Sequence, residues 1–382
     1  MKKLDFLYFD AGGGHRSAAN ALRQVITEQQ RPWEIRMVNL QELLDPLDIF
    51  RKVTGLRLQD VYNLMLKKGW TLGSPQLTAG MHVVLALYRP AQVRLLEKFW
   101  RDSRPDMVVS LVPNFNLAIG RSLRNALPGV PLVTILTDIA DYPPHFWIER
   151  QEQHLICGSD RAVEQARWHG HTDDRIARAS GMILNPRFYQ LPEIDRAAER
   201  KRHGLDPDLP TGLILFGGEG NMVMIDIVRR LEKCARPLQL IAICGHNQKL
   251  YDRLKAMQTR MPLLVEGFTR EVPYYMQLSD FFIGKPGPGS ISEALKMKLP
   301  VIVECNAWTL PQERYNAEWI LEHGVGLVLK NFRGIADAVN RLLEPAAYGR
   351  YRAHAEAQKN RAVFEIPDIL ATILEHSGRP VG

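Results

Sequence analysis

The stretch LDFLYFDAGGGHRSAANALRQVI, residues 4–26, places a short apolar run, a glycine cluster and a helical pattern in direct succession. This order predicts a strand over residues 4–9, then a loop, then a helix over residues 17–26. Further short apolar runs, bounded by Pro, Gly, Asp or Asn, occur at residues 35–38, 107–111, 132–136 and 154–157. Because the segments between them are long enough for helices, the alternation predicts an α/β fold whose parallel sheet is covered on both faces.

The same alternation starts again after a break near residue 188. The second series of predicted strands lies at residues 213–216, 238–244, 263–266, 281–284, 301–304 and 327–329. The charged stretch 193–203 is interpreted as part of a linker between the two series. We therefore expect two Rossmann-like domains facing each other across a cleft, over residues 1–188 and 189–355. A C-terminal helix in residues 356–382 is expected to pack back on the first domain.

The composition is that of a globular chain long enough for two domains. Of its 382 residues, 46% are hydrophobic and 24% are charged, which excludes disordered and fibrous proteins. The chain has no apolar run of membrane-spanning length, and its first ten residues lack the pattern of a signal peptide. We therefore expect a cytoplasmic protein. The four cysteines are scattered without zinc-type spacing, which predicts reduced thiols and no metal site.

The positive charge is concentrated in one segment. The chain carries a net charge of +7, and residues 51–104 alone hold ten basic residues against three acidic ones. Residues 40–104 are also rich in leucine and other apolar residues, which predicts a helical insertion. Its basic and apolar surface favours contact with an anionic membrane or lipid, although helices packed on the sheet would account for most of the apolar residues. The interleaving of basic with aliphatic residues argues against nucleic acid as a partner.

The first glycine loop, residues 10–15, lies where the first strand gives way to the first helix. Three glycines allow backbone N–H groups to approach an anion or a sugar, and the helix N-terminus adds a positive dipole end. The pattern is not the GxGxxG of dinucleotide-binding proteins. His15 at the end of this loop is suited to general-base catalysis or to phosphate binding, but a histidine here can also be a polar cap.

Two further loops occupy equivalent places in the second series. Residues 216–221 (FGGEGN) follow its first strand, and residues 244–247 (CGHN) follow the next. Ligands of open α/β sheets bind at the carboxyl ends of the strands, so loops of the two domains would converge on one cleft. A tight turn would also explain a single Gly-Gly pair.

The most informative stretch is GKPGPGSISEAL, residues 284–295. A Gly/Pro loop opens a helix whose first turn offers N–H groups to a diphosphate, and Glu293 can accept two hydrogen bonds from a ribose diol. Helix capping would explain Ser290 and Ser292, but not the density of glycine. The following element, residues 311–316, contains Gln312 and Glu313, an amide and a carboxylate suited to sugar hydroxyls.

Four of these elements, taken in order, resemble the monogalactosyldiacylglycerol synthase and diacylglycerol glucosyltransferase group: the loops at residues 10–15 and 216–221, the loop and helix at residues 285–295, and the element at residues 311–316. The peptidoglycan N-acetylglucosaminyltransferase is a more distant relative of that group. The resemblance covers nearly the whole chain and implies a UDP-sugar-dependent glycosyltransferase of the GT-B fold. It also implies inversion at the anomeric carbon, no bound metal and no tightly bound cofactor.

The resemblance further implies a role for each matching residue. Glu293 would bind the ribose diol, Phe268 would lie beside the uracil, and Asn316 would support the sugar-binding loop. The diphosphate would contact Gly218, Gly287, Gly289, Ser290 and Ile291. The transferred hexose would contact Gln312 and Glu313.

In the first domain, His15, Asp10 and the backbone of Gly13 and Gly14 would face the acceptor hydroxyl and the leaving diphosphate. The catalytic base is left open between His15, Asp10 and Asp138. The chain departs from the family pattern at two places. The family's plant members have a His-Pro-x-Trp element after Thr-Asp, whereas here YPPHFW (residues 142–147) follows with different spacing. His246 also replaces a common arginine.

The leading functional hypothesis is transfer of galactose or glucose from a UDP-sugar to diacylglycerol or a related lipid, by an enzyme bound peripherally to the inner face of the cell membrane. The alternatives are an enzyme similar to UDP-N-acetylglucosamine 2-epimerase and a non-catalytic nucleotide-sugar-binding protein. The two hexoses differ at one hydroxyl, so the sequence does not separate them.

Overall fold

The computed structural model describes residues 1–10, 14–47 and 74–377, with side chains from residue 88 onward in the helix that begins at Ser74. The described residues form two compact units. The first unit comprises the described parts of Met1–Pro186, Leu310–Gln312 and Arg361–Gly382, and the second comprises Arg187–Thr309 and Glu313–Asn360.

The first unit is built on a parallel sheet. Its described strands are β1 (Lys2–Tyr8), β2 (Trp33–Asn39), β3 (Met107–Ser110), β4 (Leu132–Ile135), β5 (His154–Cys157) and β6 (Ile176–Arg178). Its described helices in the first 186 residues are α1 (Gly14–Glu28), α2 (Leu40–Leu44), α3 (Ser74–Ser103), α4 (Asn116–Ala126) and α5 (Asp160–Trp168). The strand order is β2-β1-β3-β4-β5-β6, so the chain reverses its direction of winding between β1 and β3. Ligands of open α/β sheets bind at such a switch point, where the loop after β1 lies.

Buried apolar side chains explain why these elements pack. Leu22 and Ile26 lie four residues apart on the buried face of α1, and Leu96 and Trp100 do the same on α3. Trp100 Nε1 donates a hydrogen bond to Ser122 Oγ of α4 at 2.9 Å. Leu96 and Trp100 of α3 therefore belong to the core, and the half-buried Val93 and Phe99 pack against it.

The second unit repeats the architecture with six parallel strands among its described residues. They are β7 (Thr211–Leu215), β8 (Gln239–Ile243), β9 (Leu263–Glu266), β10 (Phe281–Gly284), β11 (Val301–Glu304) and β12 (Gly326–Leu329). The described helices that lie wholly or mostly in this unit are α6 (Arg196–Arg202), α7 (Val223–Leu231), α8 (Gln248–Lys255), α9 (Val272–Gln277), α10 (Pro288–Lys296), α11 (Pro311–Glu322), α12 (Ile335–Leu342) and α13 (Pro345–Ala357). The order β12-β11-β10-β7-β8-β9 places the switch point between β7 and β10. The prediction of two Rossmann-like domains is confirmed.

The last helix, α14 (Ala362–Ser377), belongs to the first unit. It packs against α1, and Glu365 Oε2 accepts a hydrogen bond from the backbone N–H of Ser180 at 2.7 Å. None of the helices in the described part of the chain is long and apolar enough to span a membrane.

The charged stretch interpreted as part of a linker is instead mostly the helix α6, and that expectation was wrong. Asp195 caps this helix through its carboxylate, which accepts hydrogen bonds from two backbone N–H groups. Arg200 is buried, donates to the Leu278 carbonyl and pairs with Asp280 at 2.7 Å. These contacts of Arg200 with Leu278 and Asp280 attach the stretch to the second unit. The structure also contains β6, a short edge strand that the apolar pattern did not predict.

Candidate active site

The loop after β10 leads into α10 at the switch point of the second unit. Gly287 precedes the first helical residue, Pro288, which has no N–H group. The N–H of Ile291 donates to the Gly287 carbonyl at 3.1 Å, and the Ile291 side chain is in the core. The backbone donors left at this helix N-terminus are therefore those of Gly289 and Ser290, and they are suited to an anion.

Glu293 lies on the same helix and has no hydrogen-bond partner among the residues that the structure describes. Burial alone raises its pKa to about 7 from the ordinary 4.5. Glu293 is half-buried by accessible surface. A partly desolvated carboxylate without a partner is costly for the fold, and it is suited to accept hydrogen bonds from a ligand diol.

Lys285 and Glu313 connect the loop after β10 with α11. Lys285 Nζ lies 2.7 Å from Glu313 Oε1, and Glu313 is buried. A Cβ atom added at Gly287 would lie 3.7 Å from the same carboxylate oxygen and 3.8 Å from Ser290 Oγ. The ammonium group, the carboxylate and the start of α10 are thus neighbours. Gln312, the second residue of α11, precedes this buried carboxylate.

Asn316 holds the same loop from α11. Its side chain is fully buried, and Nδ2 donates to the Pro286 carbonyl at 2.8 Å. Its Oδ1 is buried without a hydrogen-bond partner in the described part of the chain. The bond to Pro286 fixes the turn that precedes α10, and the free oxygen remains available to a ligand or a water molecule.

The loops after β7 and β8 pack directly on each other. Gly245 adopts a φ of +60°, and a Cβ atom there would lie 2.1 Å from the Gly218 carbonyl oxygen, so only glycine fits. The N–H of His246 donates to that same carbonyl at 2.8 Å. Gly218 thereby lies beside the CGHN loop, at the carboxyl ends of adjacent strands.

An aromatic pair borders a cavity next to these loops. The rings of His246 and Phe268 stack with centroids 4.0 Å apart and an interplanar angle of 16°. They line a cavity of about 470 Å³ together with Gly245, Gln248, Tyr251, Glu266 and Gly267. Phe268 is 56% exposed, so one aromatic surface is open to a planar ligand.

In the first unit, the candidate site includes His15, which lies in the first turn of α1. Its Nδ1 lies 3.1 Å from Thr137 Oγ1, and its ring centroid lies 5.7 Å from that of Trp147. Desolvation lowers the pKa of His15 to about 4, while a contact with the backbone of Leu111 acts in the opposite direction. The ring is therefore neutral at physiological pH and can accept a proton.

Asp138 is joined to His15 through Trp147. The buried carboxylate of Asp138 accepts a hydrogen bond from Trp147 Nε1 at 2.9 Å. Asp10 lies apart from this group, because it is exposed, pairs with Arg16 at 3.2 Å and accepts from Asn39 at 3.4 Å. Gly14 is the exposed first residue of α1, and Gly13 lies outside the described residues.

Comparison with known proteins identifies the second half of the chain. Residues 213–370 match the model of the glycosyltransferase family 28 C-terminal domain. The chain is a glycosyltransferase. Probable monogalactosyldiacylglycerol synthase 2, chloroplastic, of Oryza sativa subsp. japonica is 28% identical over 361 residues, which cover 89% of this glycosyltransferase and 73% of the rice protein. The predicted resemblance and enzyme class are confirmed.

Solved structures show that this glycosyltransferase has the GT-B fold. MurG of Acinetobacter baumannii superposes with a TM-score of 0.66 at 12% identity, over 97% of this chain and 100% of that one. S. aureus MnaA, solved with UDP, superposes with a TM-score of 0.62 at 15% identity, over 98% and 97% of the two chains. The predicted fold class is confirmed.

The sequence did not single out three polar or aromatic groups of the site. The sequence shows Lys285 only as part of a loop, and its partner Glu313 lies 28 positions later, so no local pattern joins them. The sequence shows Trp147 only as part of the element at residues 142–147, and Thr137 only as part of the Thr-Asp pair before it. Their contacts with His15 join residues more than a hundred positions apart, which no local pattern reveals.

Proposed function

We propose that this UDP-sugar-dependent glycosyltransferase transfers galactose or glucose, with inversion, to diacylglycerol or a related lipid at a membrane surface. The observation that carries the proposal is the 28% identity with a probable monogalactosyldiacylglycerol synthase along 89% of the chain. The identity extends through both units, so it supports similarity of the acceptor half as well as of the donor half.

The proposed donor site lies at the switch point of the second unit. Glu293 accepts the two ribose hydroxyls in its ionised form, and the uracil ring lies against Phe268. The N–H groups of Gly289 and Ser290 bind the diphosphate, with Gly218 beside it. The unpartnered carboxylate and the exposed aromatic face support these assignments.

The proposed sugar subsite uses Gln312 and the Lys285–Glu313 pair. An amide and a carboxylate at adjacent positions can bind neighbouring hydroxyls of a hexose. Lys285 pairs with Glu313 and adds positive charge where the leaving diphosphate develops its own negative charge. Together with the amides of α10, this charge serves the role that a divalent cation has in other glycosyltransferases, so we propose a reaction without a metal ion.

In the proposed mechanism, the acceptor hydroxyl loses its proton to His15 and attacks the anomeric carbon from the face opposite the leaving UDP. His15 is favoured over Asp10 because its ring is neutral and poorly solvated, whereas Asp10 is exposed and paired with Arg16. Asp138 acts through Trp147, whose indole lies between the carboxylate and the imidazole ring. A single displacement of this kind inverts the anomeric centre.

The proposed membrane contact uses the basic surface of α3 and α4. Arg94, Lys98 and Arg101 are exposed on α3, whereas Leu96 and Trp100 in the same stretch are buried. Arg89 on α3 and Arg121 and Arg124 on α4 line a cavity of about 380 Å³. Each basic side chain near an anionic surface adds about 1 kcal/mol of binding free energy, which supports peripheral docking on the inner face of the cell membrane.

The experiment is a transfer assay with the purified protein. Anionic liposomes that contain diacylglycerol are incubated with UDP-galactose or UDP-glucose in parallel tubes, with EDTA present, and glycolipid is detected by mass. A hexosyl-diacylglycerol in one tube identifies the sugar and supports independence of metal. The Glu293→Ala variant serves as the donor-site control and is expected to make little product.

A separate tube with UDP-N-acetylglucosamine and no lipid tests the epimerase alternative. Formation of the 2-epimer there, with no glycolipid elsewhere, would replace the proposal. UDP binding without any turnover would favour a nucleotide-sugar-binding protein. The family 28 match is to a glycosyltransferase domain, and it supports neither alternative.

A further inference from the structure

Asp141 lies at the start of the loop that carries Trp147, and its carboxylate binds the backbone of that loop. Oδ1 accepts a hydrogen bond from the N–H of Trp147 at 2.6 Å, and Oδ2 accepts from the N–H of His145 at 3.0 Å. The carboxylate is 1% exposed. Both of its oxygens are therefore committed to fixing the backbone from His145 to Trp147.

The backbone of Asp141 is itself held by α5. Gln165 Oε1 accepts from the N–H of Asp141 at 2.8 Å, and Gln165 Nε2 donates to the Asp141 carbonyl at 3.0 Å. This pair of bonds resembles the pairing of two strands, and it attaches the start of the loop to a helix of the core. Asp141 thus connects a rigid element to Trp147.

Trp147 contacts both Asp138 and His15, so its position affects these two groups. Its side chain is fully buried, its Nε1 donates to Asp138, and its ring lies beside the ring of His15. A shift of the Trp147 backbone would break the bond to Asp138 and expose one side of the imidazole to water. The low pKa of His15 arises mainly from desolvation, and the neighbouring ring of Trp147 is one of the groups that exclude water from the imidazole.

Four titratable side chains of the described residues surround Asp141. His145 and Glu149 lie in the same loop, His169 Nε2 follows α5 and lies 3.9 Å from Asp141 Oδ2, and Cys157 ends β5. Burial raises the pKa of Asp141 to about 6, and the backbone donors lower it. At neutral pH the carboxylate is ionised and accepts both N–H groups.

We propose that Asp141 is a positioning residue of the transfer reaction, which holds Trp147 so that Asp138 and His15 keep their arrangement. The inference rests on the proposed function for its kinetic effect, since His15 is the proposed base. It does not rest on that function for its structural effect, because the state of the His15 ring can be measured without any substrate. The solvation of the His15 ring would then be set by Trp147, which Asp141 holds in place, and not by a bound ligand.

The test compares Asp141→Asn with Asp195→Asn. Asp195 is a matched control, because its carboxylate also accepts two backbone N–H groups, both at 3.0 Å, at the start of α6 in the second unit. We expect Asp141→Asn to lower kcat by about tenfold or more while the KM for the UDP-sugar stays within about twofold. Asp195→Asn is expected to leave both constants within about twofold.

The second readout is the titration of His15 by NMR in the ligand-free protein. We expect the His15 pKa to move from about 4 in the natural chain toward the ordinary 6.5 in Asp141→Asn, and to stay in place in Asp195→Asn. Gln165→Leu keeps the carboxylate but removes both bonds to the Asp141 backbone. Gln165→Leu should move the His15 pKa in the same direction. If Asp141→Asn fails to fold, Gln165→Leu tests the positioning role in its place.

The two readouts separate two kinds of failure. If the natural chain makes no glycolipid, the proposed function fails, and the NMR titration still tests Asp141. If the His15 pKa and kcat of Asp141→Asn both match those of Asp195→Asn, the positioning role is overturned. A rise in KM equal to the fall in kcat would also overturn it, because it would place Asp141 in substrate binding.

Discussion

The ammonium group of Lys285 lies 2.7 Å from the buried Oε1 of Glu313, and this pair connects the loop before α10 with the first turn of α11. Lys285 is 44% exposed at its side chain, whereas Glu313 is 9% exposed. The ion pair holds the carboxylate that is proposed to bind the sugar, while the lysine side chain remains partly exposed beside the start of α10.

Replacement of Lys285 by methionine should weaken UDP binding. The change leaves the Glu313 carboxylate buried without its cation and removes a positive charge from the proposed diphosphate site. Loss of charged hydrogen bonds costs about 1.5–3 kcal/mol, which corresponds to a rise of about 10- to 150-fold in the Kd measured by calorimetry. Lys298→Met is the matched control, since its exposed pair with Glu356 should contribute little. Equal binding by Lys285→Met and Lys298→Met would contradict the assignment.

Glu293→Ala tests the ribose site. The alanine variant cannot accept the two diol hydrogen bonds, so the UDP Kd should rise by about 10- to 150-fold. The binding of inorganic diphosphate should change by less than about twofold, because the amides of Gly289 and Ser290 remain. Calorimetry with both ligands separates these effects. An unchanged affinity for UDP would remove Glu293 from the donor site.

Glu293→Gln should stabilise the ligand-free protein at alkaline pH. The folded-state pKa of Glu293 is raised to about 7 from 4.5, so the stability that its protonated form gives is present below pH 4.5 and is lost as the pH rises through about 7. Relative to Glu293→Gln, the natural chain should lose up to about 3 kcal/mol of unfolding free energy over this window. Urea unfolding at pH 5 and pH 8.5 measures it. A pH-independent difference between the two proteins would argue against a desolvated carboxylate.

His15→Ala should depress turnover without affecting the donor site. A general base contributes about 10²- to 10⁴-fold to rate, so kcat should fall by that factor while the Kd for UDP stays within about twofold. Steady-state kinetics and calorimetry on the same preparation provide both values. A parallel loss of UDP affinity would place His15 at the diphosphate instead.

Arg121→Glu combined with Arg124→Glu should weaken docking on anionic vesicles. The double variant reverses two charges of the basic cavity between α3 and α4. Co-sedimentation should fall by about tenfold or more with anionic vesicles at low salt and should be unaffected with neutral ones. Arg161→Glu, on an exposed helix of the same unit, is the control. Equal retention by the control and the double variant would contradict this membrane surface.

The strands could be predicted largely because most of them are short, buried and apolar. Residues 154–157, 263–266, 281–284 and 301–304 are strands with the expected bounds. The sequence missed β6, since Ile176-Ala177-Arg178 is short and partly exposed and its pattern does not differ from that of a loop. The helix α6 was missed because a charged helix, anchored by the buried Arg200, has the composition of a linker.

The site could be predicted only where the chemistry is local. The glycine loops, Glu293 and His15 follow directly from their neighbours in sequence. The bonds from Trp147 to Asp138 and from Asn316 to Pro286 depend on packing between separate elements, so no short motif indicates them. The N–H of Ile291 is not available to a ligand, because it donates to the Gly287 carbonyl within the helix that begins at Pro288. The sequence alone does not give this first residue of the helix.

The proposed reaction is an inverting hexosyl transfer to diacylglycerol, and the anomeric configuration of the glycolipid formed from an α-linked UDP-hexose tests it. The product of the liposome assay is purified, and its anomeric proton is examined by NMR. A β-linked hexosyl-diacylglycerol, with the large coupling of two axial protons, is the predicted result. An α-linked product, or no lipid product with either UDP-hexose while UDP still binds, would overturn inverting transfer to diacylglycerol as the activity.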